Sequence, residues 1–176
     1  MKNRWVLLSV VVVVGVALDQ VTKQIAERKL DLDRFVPVIE GFFALRLSRN
    51  QGAFFSLGES MSDGVRRGFF IVATIGAIAL IGHLYRKAEE TQRALRWALA
   101  LLLAGAVGNL IDRVLYGSVI DFLHLHLREV FHWATFNFAD IYITFGLVFL
   151  LVDLFRAKKP AVKRAAGAAA KEKQAS

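Results

Sequence analysis

A chain of 176 residues that is 56% hydrophobic, with a mean hydropathy of +0.46, is more apolar than a soluble domain, whose apolar share is about 45–50%. The absence of cysteine excludes disulfides, thiolate metal sites and cysteine nucleophiles together. A net charge of +8 does not point to nucleic acid, because the basic residues are distributed as a membrane topology would place them.

Four apolar stretches, at 5–18, 68–85, 97–111 and 141–155, are bounded by charge or by turn-forming residues. Several fall short of the roughly 20 residues that cross a bilayer. The spans therefore extend into polar flanks, and the predicted helices run over about 5–26, 67–86, 94–113 and 139–156. The first stretch follows Lys2 and Arg4 as a secretory signal would, but Val16-Ala17-Leu18 leads directly into Asp19-Gln20 with no small-x-small cleavage site. It is expected to remain as helix one, with Asp19 and Lys23 at the four-residue spacing of an ion pair.

After helix one, 35–48 (FVPVIEGFFALRLS) is rich in β-branched and aromatic residues and predicts one or two strands around a Glu40-Gly41 turn. Helix three carries Ala104 and Gly108 as a small-xxx-small step, widened by Gly105, which predicts close helix packing. Its end bears Asn109, Asp112 and Arg113, and a buried ion pair or a helix-end bond is a sufficient structural task for Asp112. A further strand is predicted at 118–127, followed by an aromatic piece at 130–133 in which Trp133 is an interfacial anchor. His124 and His126, two apart on a strand and with His132 and Asp121 nearby, form a candidate zinc group. No HExxH motif supports zinc. Ser48, Ser56 and Ser118 lack the G-x-S-x-G elbow of a serine hydrolase. Asp140 opens helix four, where an N-cap or first-turn acid is stabilised by the helix dipole. Residues 1–157 read as one membrane domain and 158–176 as a basic tail, disordered or weakly helical and attracted to anionic headgroups.

Thirteen basic residues (Lys2, Arg4, Arg86, Lys87, Arg93, Arg96 and seven from Arg156 onward) fall on one side of this threading, against the four acids Glu89, Glu90, Asp153 and Glu172. The other side holds ten basic and eleven acidic residues. The positive-inside rule then makes both termini and the loop between helices two and three cytoplasmic. Asp19, Lys23, Arg49, Asn50, Asn109, Asp112, Arg113, Asp121, Asn137 and Asp140 all fall on the outer face. Ionisable residues at membrane depth are costly and mark functional sites. Two carboxyls held close do not both ionise readily, so one keeps a proton and acts as acid while the other accepts one from water, the requirement for aspartate-dependent amide hydrolysis. Asp121 and Asp140, neither with a basic neighbour in sequence, are the candidate pair. The rival reading is a small proton- or ion-coupled transporter using the same acidic cluster, and a third is a non-catalytic anchor. Against transport, the inner halves of the helices are plain except for His83 and Asp153.

Taken together, these residues resemble the lipoprotein signal peptidase family, also called signal peptidase II. The resemblance rests on five blocks in the family's order: Asp19-Gln20-Val21-Thr22-Lys23, Arg49-Asn50-Gln51-Gly52-Ala53-Phe54-Phe55-Ser56, Gly105-Ala106-Val107-Gly108-Asn109-Leu110-Ile111-Asp112-Arg113, Val119-Ile120-Asp121-Phe122 and Phe136-Asn137-Phe138-Ala139-Asp140. It departs at Ala104, where the family often has glycine, and at Phe54, where a small residue is usual.

The resemblance implies a mainly α integral membrane protein of four transmembrane helices. A small extracytoplasmic β-sheet, at about 35–48 and 118–127, cradles the substrate, and a short extracytoplasmic helix accompanies it. It implies a membrane aspartyl endopeptidase of the bacterial inner membrane that removes signal peptides from diacylglyceryl-modified prolipoproteins, just before the lipidated cysteine. Asp121 and Asp140 would be catalytic, with Asp19, Lys23, Asn50, Gly52, Asn109, Asp112, Arg113 and Asn137 as substrate-binding or supporting positions. Membrane lipids and globomycin-type cyclic peptide inhibitors are the expected partners; the protein is expected to work as a monomer without metal or cofactor.

Overall fold

The computed structural model describes residues 2–52, 62–127 and 130–155; Phe54 and the tail at 158–176 lie outside the described residues. Four of its helices are long and apolar enough to cross a membrane: α1 (Lys2–Lys29), α2 (Asp63–Lys87), α3 (Arg93–Tyr116) and α4 (Phe138–Phe155). α1 has 28 residues and is about 42 Å long at 1.5 Å per residue. It therefore outreaches the hydrocarbon core of about 30 Å and carries its Asp19–Lys29 end into the interface.

α3 is the central helix. Half of its apolar window is buried, against 11%, 6% and 11% for the other three, because it presents Ala98, Ala100, Ala104, Gly105 and Gly108 to its neighbours. A Cβ on Gly105 would stand 2.4 Å from the Ala139 carbonyl oxygen of α4, and Gly15 of α1 brings its backbone up to Ala104 in the same way. The small residues anticipated on helix three thus serve two partners at once, α1 and α4. The outward faces, for example Val6, Val10 and Val13 on α1 and Val65, Phe69 and Val72 on α2, stay exposed and apolar as a lipid-facing surface requires.

At one end of the helices lies an antiparallel sheet in the order β1-β2-β3-β4, made of Val36–Ile39, Phe43–Asn50, Val119–Leu127 and Phe131–His132. Pro37 sits in the edge strand β1, where a missing N–H is tolerated, and Gly41 makes the β1–β2 turn at φ 71°. A bulge between Leu45 and Ser48 resets the β2–β3 register so that Ser48 faces Asp121 and Asn50 faces Val119. Gly117, at φ 76°, ends α3 in a left-handed cap and turns the chain straight into β3. Ile120 and Phe122 pack with Ala26 and Leu47 and seat the sheet on the end of α1. The aromatic piece at 130–133 contributes β4, and no short helix outside the spans occurs among the described residues.

Candidate active site

The polar residues form two layers at the sheet end of the bundle. The deeper one centres on Lys23, which is 1% exposed and has its Nζ 2.8 Å from Asp19, 2.7 Å from Asp112 and 3.1 Å from Asn109 Oδ1. The ion pair expected of Asp19 and Lys23 is thus present, and Asp112 also pairs with Lys23 rather than with its neighbour Arg113. Both carboxylates also hold other elements. Asp19 accepts the Ala139 N–H at the start of α4 (2.9 Å), and Asp112 accepts the Ile120 N–H of β3 (3.2 Å) and the Gln20 amide (2.9 Å). One cation shared by two buried anions, with every other contact a donor, is the condition under which buried charge is tolerated. Gly108 makes room for it, since a Cβ there would stand 2.6 Å from Asp19 Oδ2.

Asn109 links this layer to the upper one. Its oxygen accepts from Lys23 and from Asn137 Nδ2 (3.2 Å), and its amide donates to Asp140 Oδ1 at 2.9 Å. Asn137 immediately precedes α4, and its oxygen accepts the Asp140 N–H (2.9 Å) while its own N–H donates to Asp140 Oδ2 (3.2 Å). This is a reciprocal capping box, so the capping role foreseen for Asp140 is real and coexists with its place in the cluster. Asn137 Nδ2 also donates to Asp121 Oδ1 at 2.6 Å. One residue therefore touches both carboxyls of the candidate pair, Asp121 through its side chain and Asp140 through its backbone N–H.

Strand alternation turns Asp121 away from the Ile120 and Phe122 face of β3. It is 2% exposed. Burial pushes its carboxyl up to about 7, and the Asp140 charge adds to the rise; hydrogen bonds from Asn50 and Asn137 and the charge of Lys23 pull the other way. Asp140 receives the amide of Asn109 and a backbone N–H at a helix N-terminus.

Asn50 folds its side chain back to accept the Gly52 N–H at 2.8 Å. Gly52, at φ 89°, lies under the ring of Phe70, 2.2 Å from where a Cβ would stand. Phe70 also carries the Arg113 guanidinium 5.4 Å above its ring, so it positions both the 50–52 turn and a cation whose charge reaches Asp121 and Asp140. Sequence reasoning gave no part to Phe70 or Gln20. Gln20 carried a signal, its place beside Asp19; Phe70, inside a lipid-like apolar run, carried none.

The zinc alternative fails on strand geometry. His124 and His126 share one face of β3 and stack with His132, His124 Nε2 lying 3.3 Å from His132 Nδ1, while alternation puts Asp121 on the opposite face. Among the described residues no group of three His, Cys, Asp or Glu side chains is arranged to hold a metal. Burial and the nearby Arg46, His132 and His126 hold the His124 ring below its ordinary pKa.

Comparison with known proteins gives the family. A family model described as signal peptidase (SPase) II matches residues 11–156. The lipoprotein signal peptidase of Geobacter metallireducens is 41% identical over 89% of this chain and 94% of its own length. That of Janthinobacterium sp. is 45% identical over 80% of this chain and 83% of its own. Among solved structures, a bacterial membrane enzyme determined by the in meso method at 2.3 Å resolution superposes with a TM-score of 0.75 at 30% identity, covering 86% of this chain and 88% of that one. With a family model matching most of its length and relatives near 40% identity, this bacterial membrane protein belongs to the signal peptidase II family of proteases.

Proposed function

We propose that the chain is an aspartyl endopeptidase that removes the signal peptide from diacylglyceryl-modified prolipoproteins, cutting just before the lipidated cysteine, with Asp121 and Asp140 as the catalytic pair. The observation that carries this reading is the unequal environment of two carboxyls joined through Asn137: Asp121 is buried and raised to about 7, while Asp140 accepts hydrogen bonds from the Asn109 amide and the Asn137 N–H. Asp121 holds the proton at neutral pH. Asp140 takes a proton from a water lying between the two, the resulting hydroxide adds to the scissile carbonyl, and Asp121 protonates the oxyanion. Collapse of the tetrahedral adduct breaks the C–N bond, and a carboxyl proton goes to the leaving amine. No covalent enzyme intermediate forms. Asn50, Asn109 and Arg113 orient the peptide and stabilise charge where water is scarce.

Both termini are assigned to the cytoplasm and the sheet to the outer face of the bacterial inner membrane, on the strength of the thirteen-to-four excess of basic over acidic residues at the opposite end. The acyl chains of the substrate then remain in the bilayer beside the helices while the peptide crosses the sheet. Globomycin-type cyclic peptides compete for the same place.

The test is incubation of purified protein with a diacylglyceryl-modified precursor, read by gel shift. The wild type cleaves and globomycin blocks it, whereas Asp121→Asn and Asp140→Asn fold but lose at least about 1,000-fold in turnover, as expected when a carboxyl that moves a proton is replaced. Near-normal turnover by either variant would remove that residue from the pair.

A further inference from the structure

A cavity of about 350 Å³ lies at the same end of the bundle, lined by Arg49, Arg66, Arg67, Asp63, Gly64 and Tyr116 among others. Asp121 and Asp140 are not part of its lining. Three guanidinium groups meet there; among the described residues the lining holds one carboxylate, Asp63, and Glu27 reaches Arg49 from outside the lining. Arg49 lies 5.8 Å over the Tyr116 ring and pairs with Glu27. Arg66 pairs with Asp63 at 2.6 Å and bonds Gln51. Arg67 gives Nε to the Arg113 carbonyl (3.1 Å) and Nη2 to the Val114 carbonyl (2.6 Å), offsetting the negative end of α3, and its Nη1 lies over Gly117. The cavity also receives the first turn of α2, whose N-cap Ser62 makes no side-chain cap bond. The N–H groups of that turn add to the positive potential.

The surroundings narrow the ligand. On α2, Val65 and Phe69 are 60% and 58% exposed, and on α3, Val114 and Leu115 are 49% and 61% exposed. The arginine-lined cavity thus lies at the ends of two membrane spans whose neighbouring residues expose apolar side chains, a combination suited to a molecule with an anionic head and acyl chains. Guanidinium groups match phosphate oxygens in geometry as well as charge. We propose that this cavity binds the phosphate of an anionic glycerophospholipid from the surrounding leaflet, its chains lying along α2 and α3. Bound there, the lipid ties the start of α2 and the 49–52 turn to the membrane surface, beside the candidate active site.

The experiment is native mass spectrometry of the full chain in a neutral detergent, titrated with short-chain phosphatidylglycerol, with diacylglycerol of the same chain length and with inorganic phosphate. Phosphatidylglycerol is expected to bind at least about tenfold more tightly than diacylglycerol, the difference one charge-assisted hydrogen bond supplies. Arg49→Gln with Arg67→Gln should lose that preference. Because Arg67 also supports the end of α3, a second variant is needed. Gly64→Trp serves, since Gly64 lines the cavity and a Cβ there meets nothing within 4 Å, which leaves room for a bulky side chain at the cavity wall. Unchanged phosphatidylglycerol affinity in Gly64→Trp overturns the proposal whatever the arginine variant does. Equal binding of diacylglycerol and phosphatidylglycerol overturns it as well. Inorganic phosphate that binds as tightly as the lipid assigns the cavity to a soluble anion and overturns the lipid source.

Discussion

A carboxyl raised to about 7 keeps its proton through the acid range up to that pH, and this sets two expectations for Asp121. With Asp121 as the proposed general acid, turnover should fall as pH rises through about 7; a pH–rate profile with a descending limb near that value checks it. The stability linkage runs in the same direction. The folded state binds a proton more tightly than the unfolded chain, so between pH 4 and 7 stability declines as pH rises, and above 7 the full cost of a buried carboxylate remains. Each pKa unit corresponds to about 1.4 kcal/mol. Asp121→Asn should therefore melt higher than the wild type at pH 8, by a few kcal/mol at most, and about equally at pH 4; a lower melting temperature at pH 8 would contradict the burial argument. Lys23 offers the opposite case. Lys23→Met leaves Asp19 and Asp112 buried with no counter-charge, and removing one partner of such a group costs about 3–5 kcal/mol. Thermal unfolding in detergent should show a large drop, and Lys23→Arg should not restore it, because the cavity around Nζ is closed by three short contacts.

At the scale of elements, two glycines join the chemistry to the scaffold. Gly108 lets Asp19 cross from α1 toward the N-terminus of α4, and Gly108→Ala should destabilise by about 1–3 kcal/mol, the usual effect of overpacking, with a matching loss of activity. Gly52→Ala is strained twice, by its positive φ and by the Phe70 ring. Relief of the clash in Gly52→Ala with Phe70→Ala should recover part of the folding stability but not the activity, because Phe70 also carries Arg113; full recovery of cleavage would show that Phe70 is only a spacer. The bulge in β2 belongs here too. It lets one strand serve the Ala26–Leu47 cluster with one half and set Ser48 opposite Asp121 with the other. Period-2 alternation read from sequence has no means of anticipating it.

For the molecule as a whole, the burial pattern explains why the site sits at a helix end. α3 is the most buried of the four helices and gives polar side chains a protein-facing side, while α1, α2 and α4 face outward along most of their length. Cysteine labelling from the two sides of intact spheroplasts should find positions in the loop between α2 and α3 reactive from the cytoplasm only, and positions in the β1–β2 turn reactive from outside. The reverse pattern would overturn the orientation drawn from the basic residues.

The sequence alone determined the membrane class, the four spans, the strands and the roster of polar residues at their ends, because length, hydropathy and alternation are one-dimensional properties. It also allowed the Asp19–Lys23 pair to be read directly, since four residues on a helix are neighbours. Only the tertiary structure decided that Asp112 completes that pair, that Asn137 touches both Asp121 and Asp140, that Phe70 supports Gly52 and Arg113, and that Asp121 points away from the histidines. Each of these depends on which faces of separate elements meet. That is fixed by the close approach of small residues on α3, the bulge in β2 and the register of β3, and by no spacing along the chain.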